Sequence, residues 1–156
     1  MKILLVGNGG REHALAQTIL RFHPKAQVFV APGNAGTGKI AKNIPFKVTQ
    51  INELALWAKE NQIDLTIPGP EVPLVMGITD AFNKQGLRVF GPDKECAQFE
   101  GSKRFTKEFL IKYKIPTASY ASFTQAQPAI ETVEEFDLPV VVKADGVAAG
   151  KGVLIC

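Results

Sequence analysis

Four short apolar runs constrain the fold of this chain more than any other feature of its sequence. The runs lie at 3–6, 28–31, 65–67 and 88–90. Between them, apolar residues recur at helical spacing over 14–22 and 51–58, and a third helix is predicted over 72–85. Strands that alternate with amphipathic helices are typical of strand–helix–strand units around a parallel sheet. The sequence therefore predicts an α/β domain with a parallel sheet over residues 1–100.

Composition and charge narrow the class of function. With 156 residues, 46% hydrophobic and 21% charged, the chain has room for one ordinary domain and part of a second. The net charge of +3 suits small anionic substrates, and the scattered basic residues argue against a nucleic-acid partner. No apolar stretch approaches the length needed to cross a bilayer. Cys96 and Cys156 stand far apart, which indicates neither a disulfide framework nor a zinc site and favours the reducing cytoplasm.

A glycine loop follows the first predicted strand and leads into the first predicted helix. Its residues are Gly7, Asn8, Gly9, Gly10, Arg11, Glu12 and His13. Glycines there let backbone N–H groups approach an anion, and the helix dipole favours negative charge. A dinucleotide site is not favoured, because Glu12 replaces the third glycine of G-x-G-x-x-G and the second strand ends without an acidic residue. The loop therefore predicts a site for a phosphate group.

Arg11 is the most informative side chain of this loop. A cation in the first helical turn opposes the helix dipole by about 0.3 to 1 kcal/mol, and a bound phosphate would offset that cost. The alternative is that Arg11 pairs with Glu12 or faces solvent. His13 either contributes to the site or packs locally.

Two further loops follow predicted strands in the same sense. They contain Pro32, Gly33 and Asn34 in one case, and Pro68, Gly69 and Glu71 in the other. In a parallel sheet both open on the carboxyl edge that also carries the glycine loop, where ligands of open α/β sheets bind. Each loop alone is better interpreted as an ordinary turn, and only the shared edge favours a substrate site.

The remaining chain changes in character after residue 100. Helices are predicted over 102–113, with Ser102 as the cap, and over 125–136, and strands over 138–143 and from Gly152 onward. Lys143 ends a valine-rich strand, where a charge is costly unless it is paired or its pKa falls, so an anionic group is expected nearby. The Ala- and Gly-rich loop around Lys151 can approach phosphates closely, although its spacing differs from a Walker loop. A flexible hairpin with a solvated lysine is the alternative.

Taken in order along the whole chain, these motifs resemble the phosphoribosylamine–glycine ligase family of the ATP-grasp superfamily. The segments that carry the resemblance are 7–14, 32–34, 68–71, 101–103 and 143–153. The resemblance implies a Rossmann-like pre-ATP-grasp domain over 1–100 and the beginning of an ATP-grasp domain over 101–156. Within the latter, it implies a linker helix over 101–115 and part of the ATP-binding lid over 116–156.

The resemblance also implies roles for individual residues. Lys103 and Lys143 match the two lysines that hold ATP phosphates. The loop that covers those phosphates matches Gly150, Lys151, Gly152 and Val153. The substrate-facing edge matches Gly9, Gly10, Arg11, Glu12, His13, Pro32, Gly33, Asn34, Pro68, Gly69 and Glu71. No residue of the chain is assigned a catalytic or metal-ligating role.

The activity that the resemblance implies is a step of de novo purine biosynthesis. ATP would activate glycine as glycyl phosphate, and 5-phosphoribosylamine would then accept the glycyl group to give glycinamide ribonucleotide, ADP and phosphate. Mg²⁺ is expected, with its ligands beyond Cys156, so we expect an amino-terminal fragment that is inactive by itself. A cytoplasmic monomer or weak homodimer is expected. Another ATP-grasp ligase or carboxylase, and a non-catalytic nucleotide-binding module, are the alternatives.

Overall fold

The computed structural model describes residues 1–147 and 151–156, which divide into two compact units, Met1–Ala97 and Gln98–Cys156. The first unit is built on a parallel sheet with the strand order β3-β2-β1-β4. Its strands are β1 (Lys2–Gly7), β2 (Gln27–Pro32), β3 (Lys42–Asn43) and β4 (Leu65–Pro68). This sheet confirms the predicted α/β class and three of the four predicted strands. The fourth, at 88–90, is reduced to a single parallel bridge between Thr66 and Val89.

Helices cover both faces of this sheet, because β1 is apolar on both sides. The helices are α1 (Gly10–Phe22), α2 (Ile51–Glu60), α3 (Glu71–Val75) and α4 (Ile78–Lys84). Leu4 and Val6 pack in one buried cluster with residues of α2 and α4, whereas Ile3 and Leu5 pack in another with Ala16 of α1. Strands buried on both faces are characteristic of parallel sheets. The buried sheet gives the loops at its edge a rigid support.

Two features of the first unit differ from the sequence prediction. The single helix predicted over 72–85 is wrong, since α3 and α4 are separated at Gly77, whose φ of +92° only glycine adopts readily. A short 3₁₀ helix, Thr37–Lys39, and strand β3 were not predicted, because each is too short to show a hydrophobic period. No helix of the described residues is long and apolar enough to cross a membrane.

Over its described residues, 98–147 and 151–156, the second unit contains three helices and a two-stranded antiparallel sheet. These elements are α5 (Gln98–Gly101), α6 (Lys103–Lys112), α7 (Ala126–Val133), β5 (Val141–Lys143) and β6 (Val153–Ile155). The capping role predicted for Ser102 is confirmed, since its Oγ accepts a hydrogen bond from the backbone N–H of Phe105 at 3.1 Å. The last predicted helix and the strand after it are shorter than expected. Every residue of β5 and β6 is exposed.

Candidate functional site

The carboxyl ends of β1, β2 and β4 lie level with one another. Val6 of β1 pairs in register with Ala31 of β2 and with Pro68 of β4. The three loops predicted to form a substrate site therefore leave the sheet side by side. Their placement confirms the prediction that they share one edge, which is where ligands of open α/β sheets bind.

Hydrogen bonds fasten the loop after β2 to the glycine loop. The backbone N–H of Gly33 donates to the carbonyl of Gly7 at 3.1 Å. The side-chain amide of Asn34 donates to the carbonyls of Asn8 and Gly9 at 2.9 and 3.1 Å. Asn34 thus fixes the backbone of the glycine loop, and the predicted site residues of these two loops lie side by side in hydrogen-bonded segments.

Arg11 connects the glycine loop with the loop after β4. Its guanidinium donates to the carbonyl of Gly69, and its Nη2 lies 3.6 Å from Oε1 of Glu71. The pair remains open to solvent, because the side chains of Arg11 and Glu71 are 61% and 41% exposed. An exposed pair of this kind contributes at most about 1 kcal/mol to stability. The sequence alternatives for Arg11 were a pair with Glu12 or contact with solvent only. In the structure Arg11 instead contacts Gly69 and Glu71, and its side chain stays accessible to a ligand.

Glu12 is buried beneath the same loops, with 4% of its surface exposed. Its Oε2 accepts a hydrogen bond from the backbone N–H of Gly9 at 2.6 Å. A Cβ atom on Gly7 would lie 2.5 Å from the Glu12 carboxyl carbon, and one on Gly69 would overlap Oε1. Glu12, which replaces the third glycine of the dinucleotide pattern, thus fills the space between the loops that contain Gly7 and Gly69.

Hydrogen bonds of Asn34 and Asn43 shape the loop after β2. The sequence indicates the first of these residues but not the second. Oδ1 of Asn34 accepts hydrogen bonds from the backbone N–H groups of Gly36 and Thr37 at 2.8 and 3.0 Å, a turn typical of asparagine. Asn43 donates to the carbonyl of Asn34 at 2.8 Å, and no local pattern signals this partner. A Cβ atom on Gly36 would lie 3.0 Å from the ring of His13, so the imidazole packs against this loop.

In the second unit, the carboxylate of Asp145 caps the start of α6. It accepts hydrogen bonds from the hydroxyl of Ser102 at 3.0 Å and from the backbone N–H groups of Lys103 and Arg104 at 2.7 and 3.3 Å. Lys103 Nζ donates to the carbonyl of Gly146 at 2.8 Å. Desolvation raises the pKa of Asp145, but the N–H of Gly146, the Ser102 hydroxyl and the N–H groups of α6 together hold this pKa below its ordinary value of 3.8.

Lys143 lies at the exposed end of β5 and pairs in register with Val153 of β6. The expectation that burial would demand an anionic partner is therefore wrong for Lys143. Lys151 and Gly152 precede β6 and are also exposed, whereas Gly150 lies outside the described residues. The strand pair brings Lys143 close to the carboxyl end of the loop that contains Lys151.

The described residues offer no ready-made metal centre. Over 1–147 and 151–156, no group of three or more His, Cys, Asp and Glu side chains could hold a metal ion. Both cysteines, Cys96 and Cys156, are free thiols at the surface.

Comparison with known families assigns both units. Residues 1–100 match the family model described as phosphoribosylglycinamide synthetase, N domain, and residues 101–156 match the model of the ATP-grasp (A) domain of the same enzyme. The chain belongs to the phosphoribosylglycinamide synthetase family. This assignment confirms the resemblance carried by the glycine loop and the lysine-containing segments.

Individual relatives agree with the family assignment. The phosphoribosylamine–glycine ligase of Haemophilus influenzae is 54% identical over 99% of this chain, which spans 37% of that protein. The crystal structure of the Thermotoga maritima phosphoribosylamine–glycine ligase matches with a TM-score of 0.79 and 34% identity, over 99% of this chain and 36% of that one. The chain thus spans little more than a third of the length of these family members.

A more distant solved structure shares the fold. The biotin carboxylase domain of the Hydrogenobacter thermophilus 2-oxoglutarate carboxylase, solved with MgADP, ADP and bicarbonate, matches with a TM-score of 0.75. The match covers 99% of this chain and 37% of that one, at 19% identity. At this identity the likeness establishes the fold alone.

Proposed function

We propose that this chain supplies the substrate-binding edge and the start of the ATP site of a phosphoribosylamine–glycine ligase. The full-length enzyme would join glycine to 5-phosphoribosylamine in de novo purine biosynthesis, giving glycinamide ribonucleotide, ADP and phosphate. The observation that carries the proposal is the position of Arg11. It is exposed at the sheet edge where three loops meet, in a chain whose two units match consecutive domains of this family.

The sheet edge is proposed to bind the phosphorylated sugar amine. The first N–H groups of α1 have no acceptor within the helix, and the helix dipole adds positive potential at that end. Together with the guanidinium of Arg11 they form a site suited to a phosphate group. Glu71, 41% exposed beside Arg11, can accept hydrogen bonds from sugar hydroxyls or an amine. The proposed substrate residues are Gly9, Gly10, Arg11, Glu12, His13, Pro32, Gly33, Asn34, Pro68, Gly69 and Glu71.

The lysines of the second unit are proposed to hold the phosphates of ATP. Lys103 lies at the start of α6 and Lys143 at the end of β5, and Asp145 bonds to the helix start that carries Lys103. Two cations on segments that Asp145 joins suit a polyphosphate. The family match over 101–156 supports this role, and a solved structure of the same fold contains MgADP. The proposed ATP-binding residues are Lys103, Lys143, Gly150, Lys151, Gly152 and Val153.

The proposed reaction consists of two transfers. A carboxylate oxygen of glycine attacks the γ-phosphorus of ATP, the bond to ADP breaks, and glycyl phosphate forms. The amine nitrogen of phosphoribosylamine then attacks the glycyl carbonyl carbon, the bond to phosphate breaks, and the nitrogen loses a proton. Activation replaces an oxide leaving group by phosphate, which is why ATP is consumed. Lys103 and Lys143 would stabilise the charge on the transferred phosphoryl group.

Mg²⁺ would neutralise phosphate charge during the first transfer. Asp145, two residues after Lys143, already accepts hydrogen bonds from Ser102, Lys103 and Arg104. We therefore propose that the metal ligands lie in the part of the family sequence that follows Cys156. The enzyme is proposed to be a cytoplasmic monomer or weak homodimer, with a Rossmann-like substrate domain over 1–100 and an ATP-grasp domain that begins at 101. Within the latter, residues 101–115 would form a linker helix and 116–156 part of the lid.

Competition binding tests the substrate assignment in a full-length ligase that contains this chain. Ribose 5-phosphate should bind and should be displaced by phosphoribosylamine, whereas bicarbonate and biotin should not compete. Displacement by bicarbonate or biotin would instead indicate another ATP-grasp carboxylase. Binding of ATP with no ribose phosphate site would indicate a nucleotide-binding module. The 156-residue chain by itself should form no ADP from glycine, phosphoribosylamine and ATP.

A further inference from the structure

Asp145 makes more hydrogen bonds to the start of α6 than a helix cap requires. Ser102 already caps this helix by accepting from the N–H of Phe105 at 3.1 Å. Asp145 adds bonds to the Ser102 hydroxyl and to the N–H groups of Lys103 and Arg104, across more than 40 residues of sequence. A carboxylate that collects several such donors forms charge-assisted hydrogen bonds, which are stronger than neutral ones.

A second contact ties the same two segments together. Lys103 Nζ donates to the carbonyl of Gly146, the residue after Asp145, at 2.8 Å. Gly146 has a φ of +91°, a conformation that favours glycine and turns the chain at this point. Asp145 itself lies two residues after Lys143. The hydrogen bonds of residues 145 and 146 therefore hold the segment carrying Lys143 against the helix start that carries Lys103.

We propose that Asp145 is a positioning residue of the ATP site, which sets the separation between Lys103 and Lys143 so that both reach one chain of phosphates. The proposal rests on the proposed function, because it assumes that these two lysines bind ATP. Lysine side chains are long and flexible, so binding one ligand with two of them is unfavourable unless their backbones are already fixed. Asp145 supplies that fixation from outside the set of residues that contact the nucleotide.

Kinetics of the full-length ligase distinguish positioning from a general contribution to stability. Asp145→Asn keeps the shape of the side chain and removes its charge. KM for ATP should rise by about tenfold to a hundredfold, because charged hydrogen bonds to the start of α6 are lost. KM for phosphoribosylamine should change by less than about twofold, because its proposed site at the sheet edge lies on other loops. Asp137→Asn is the matched control, since it removes an exposed charge of the same unit, and its constants should equal those of the wild type.

A double-mutant cycle with Lys103→Ala tests whether Asp145 acts through that lysine. Once Lys103 is absent, Asp145→Asn should raise KM for ATP by clearly less than it does in the wild type. Additive effects in the cycle, or an equal rise of KM for ATP and phosphoribosylamine, would overturn the proposal. If the Asn variant fails to fold, Ser102→Ala, which removes one donor to Asp145, should show the same coupling in smaller measure. A wild-type enzyme that forms no ADP with glycine and phosphoribosylamine would instead contradict the proposed function.

Discussion

The carboxylate of Glu12 fills the space that a side chain on Gly69 would need. Glu12 lies in the first turn of α1, whereas Gly69 lies in the loop after β4. Glu12 is 4% exposed and also accepts the N–H of Gly9, so a buried charged group joins the loops of the substrate edge. Where the dinucleotide pattern has a glycine that lets helix and strand pack closely, this chain has a glutamate whose side chain fills the space between Gly7 and Gly69.

Substitution of Gly69 tests this packing. Gly69→Ala should lower the free energy of unfolding by roughly 1 to 3 kcal/mol, because the new methyl group overlaps Glu12 and the interior cannot absorb it without displacement. Gly10→Ala is the control, since nothing lies within 4 Å of a Cβ atom there and the residue is helical. Its stability should be unchanged or slightly higher. Chemical denaturation of both variants gives the comparison, and equal stability would show that the edge is loosely packed.

Replacement of Arg11 should separate binding from stability. Arg11→Ala should weaken binding of ribose 5-phosphate by roughly 1 to 3 kcal/mol, as expected for a lost charged hydrogen bond. Its effect on unfolding should stay below about 1 kcal/mol, because the pair with Glu71 is exposed. Arg21→Ala, at the other end of α1, should leave binding intact. Calorimetric titration with ribose 5-phosphate gives the binding constants of the Arg11 and Arg21 variants. An affinity unchanged in Arg11→Ala would remove Arg11 from the site.

The sequence predicted the parts of this molecule that depend on local patterns. Three of the four apolar runs form strands of the sheet, the chain direction placed the loops on one edge, and Ser102 marked the start of a helix. The partners of those loops were not predictable, because Asn43 meets Asn34 and Glu71 meets Arg11 only after the chain folds. The exposure of Lys143 was also missed, since a valine-rich run suggests burial when its neighbours are unknown.

The stability of the second unit should depend on pH through Asp145. Its pKa is lower in the folded chain than its ordinary value of 3.8, despite the opposing effect of desolvation, because Gly146, Ser102, Arg104 and Lys103 donate to it. The contribution to stability is therefore complete above 3.8 and is lost as the pH falls through the folded pKa. Unfolding of wild type and Asp145→Asn, compared from about pH 6 to about pH 3, should show a difference that shrinks at the acid end. A stability difference between wild type and Asp145→Asn that stays constant across this pH range would contradict a stabilising role for the ionised Asp145.

Replacement of Lys143 should affect turnover without affecting the fold. Lys143→Ala in the full-length ligase should lose most ATP-dependent turnover, because it removes one of the two cations proposed to stabilise the transferred phosphoryl group. The unfolding midpoint should stay near that of the wild type, since the side chain is exposed. Lys112→Ala, at the end of α6, is the control and should retain activity. A wild-type rate in Lys143→Ala would refute the role of this lysine at the phosphates.

The most direct measurement is the release of ADP by the full-length ligase when each substrate is withheld in turn. We predict ADP formation only when glycine and 5-phosphoribosylamine are both present with ATP, and glycinamide ribonucleotide in equal amount. Arg11→Ala should need more phosphoribosylamine to reach the same rate. ADP released at the full rate without glycine, or with bicarbonate in its place, would contradict the assignment of this chain to the ligation of glycine.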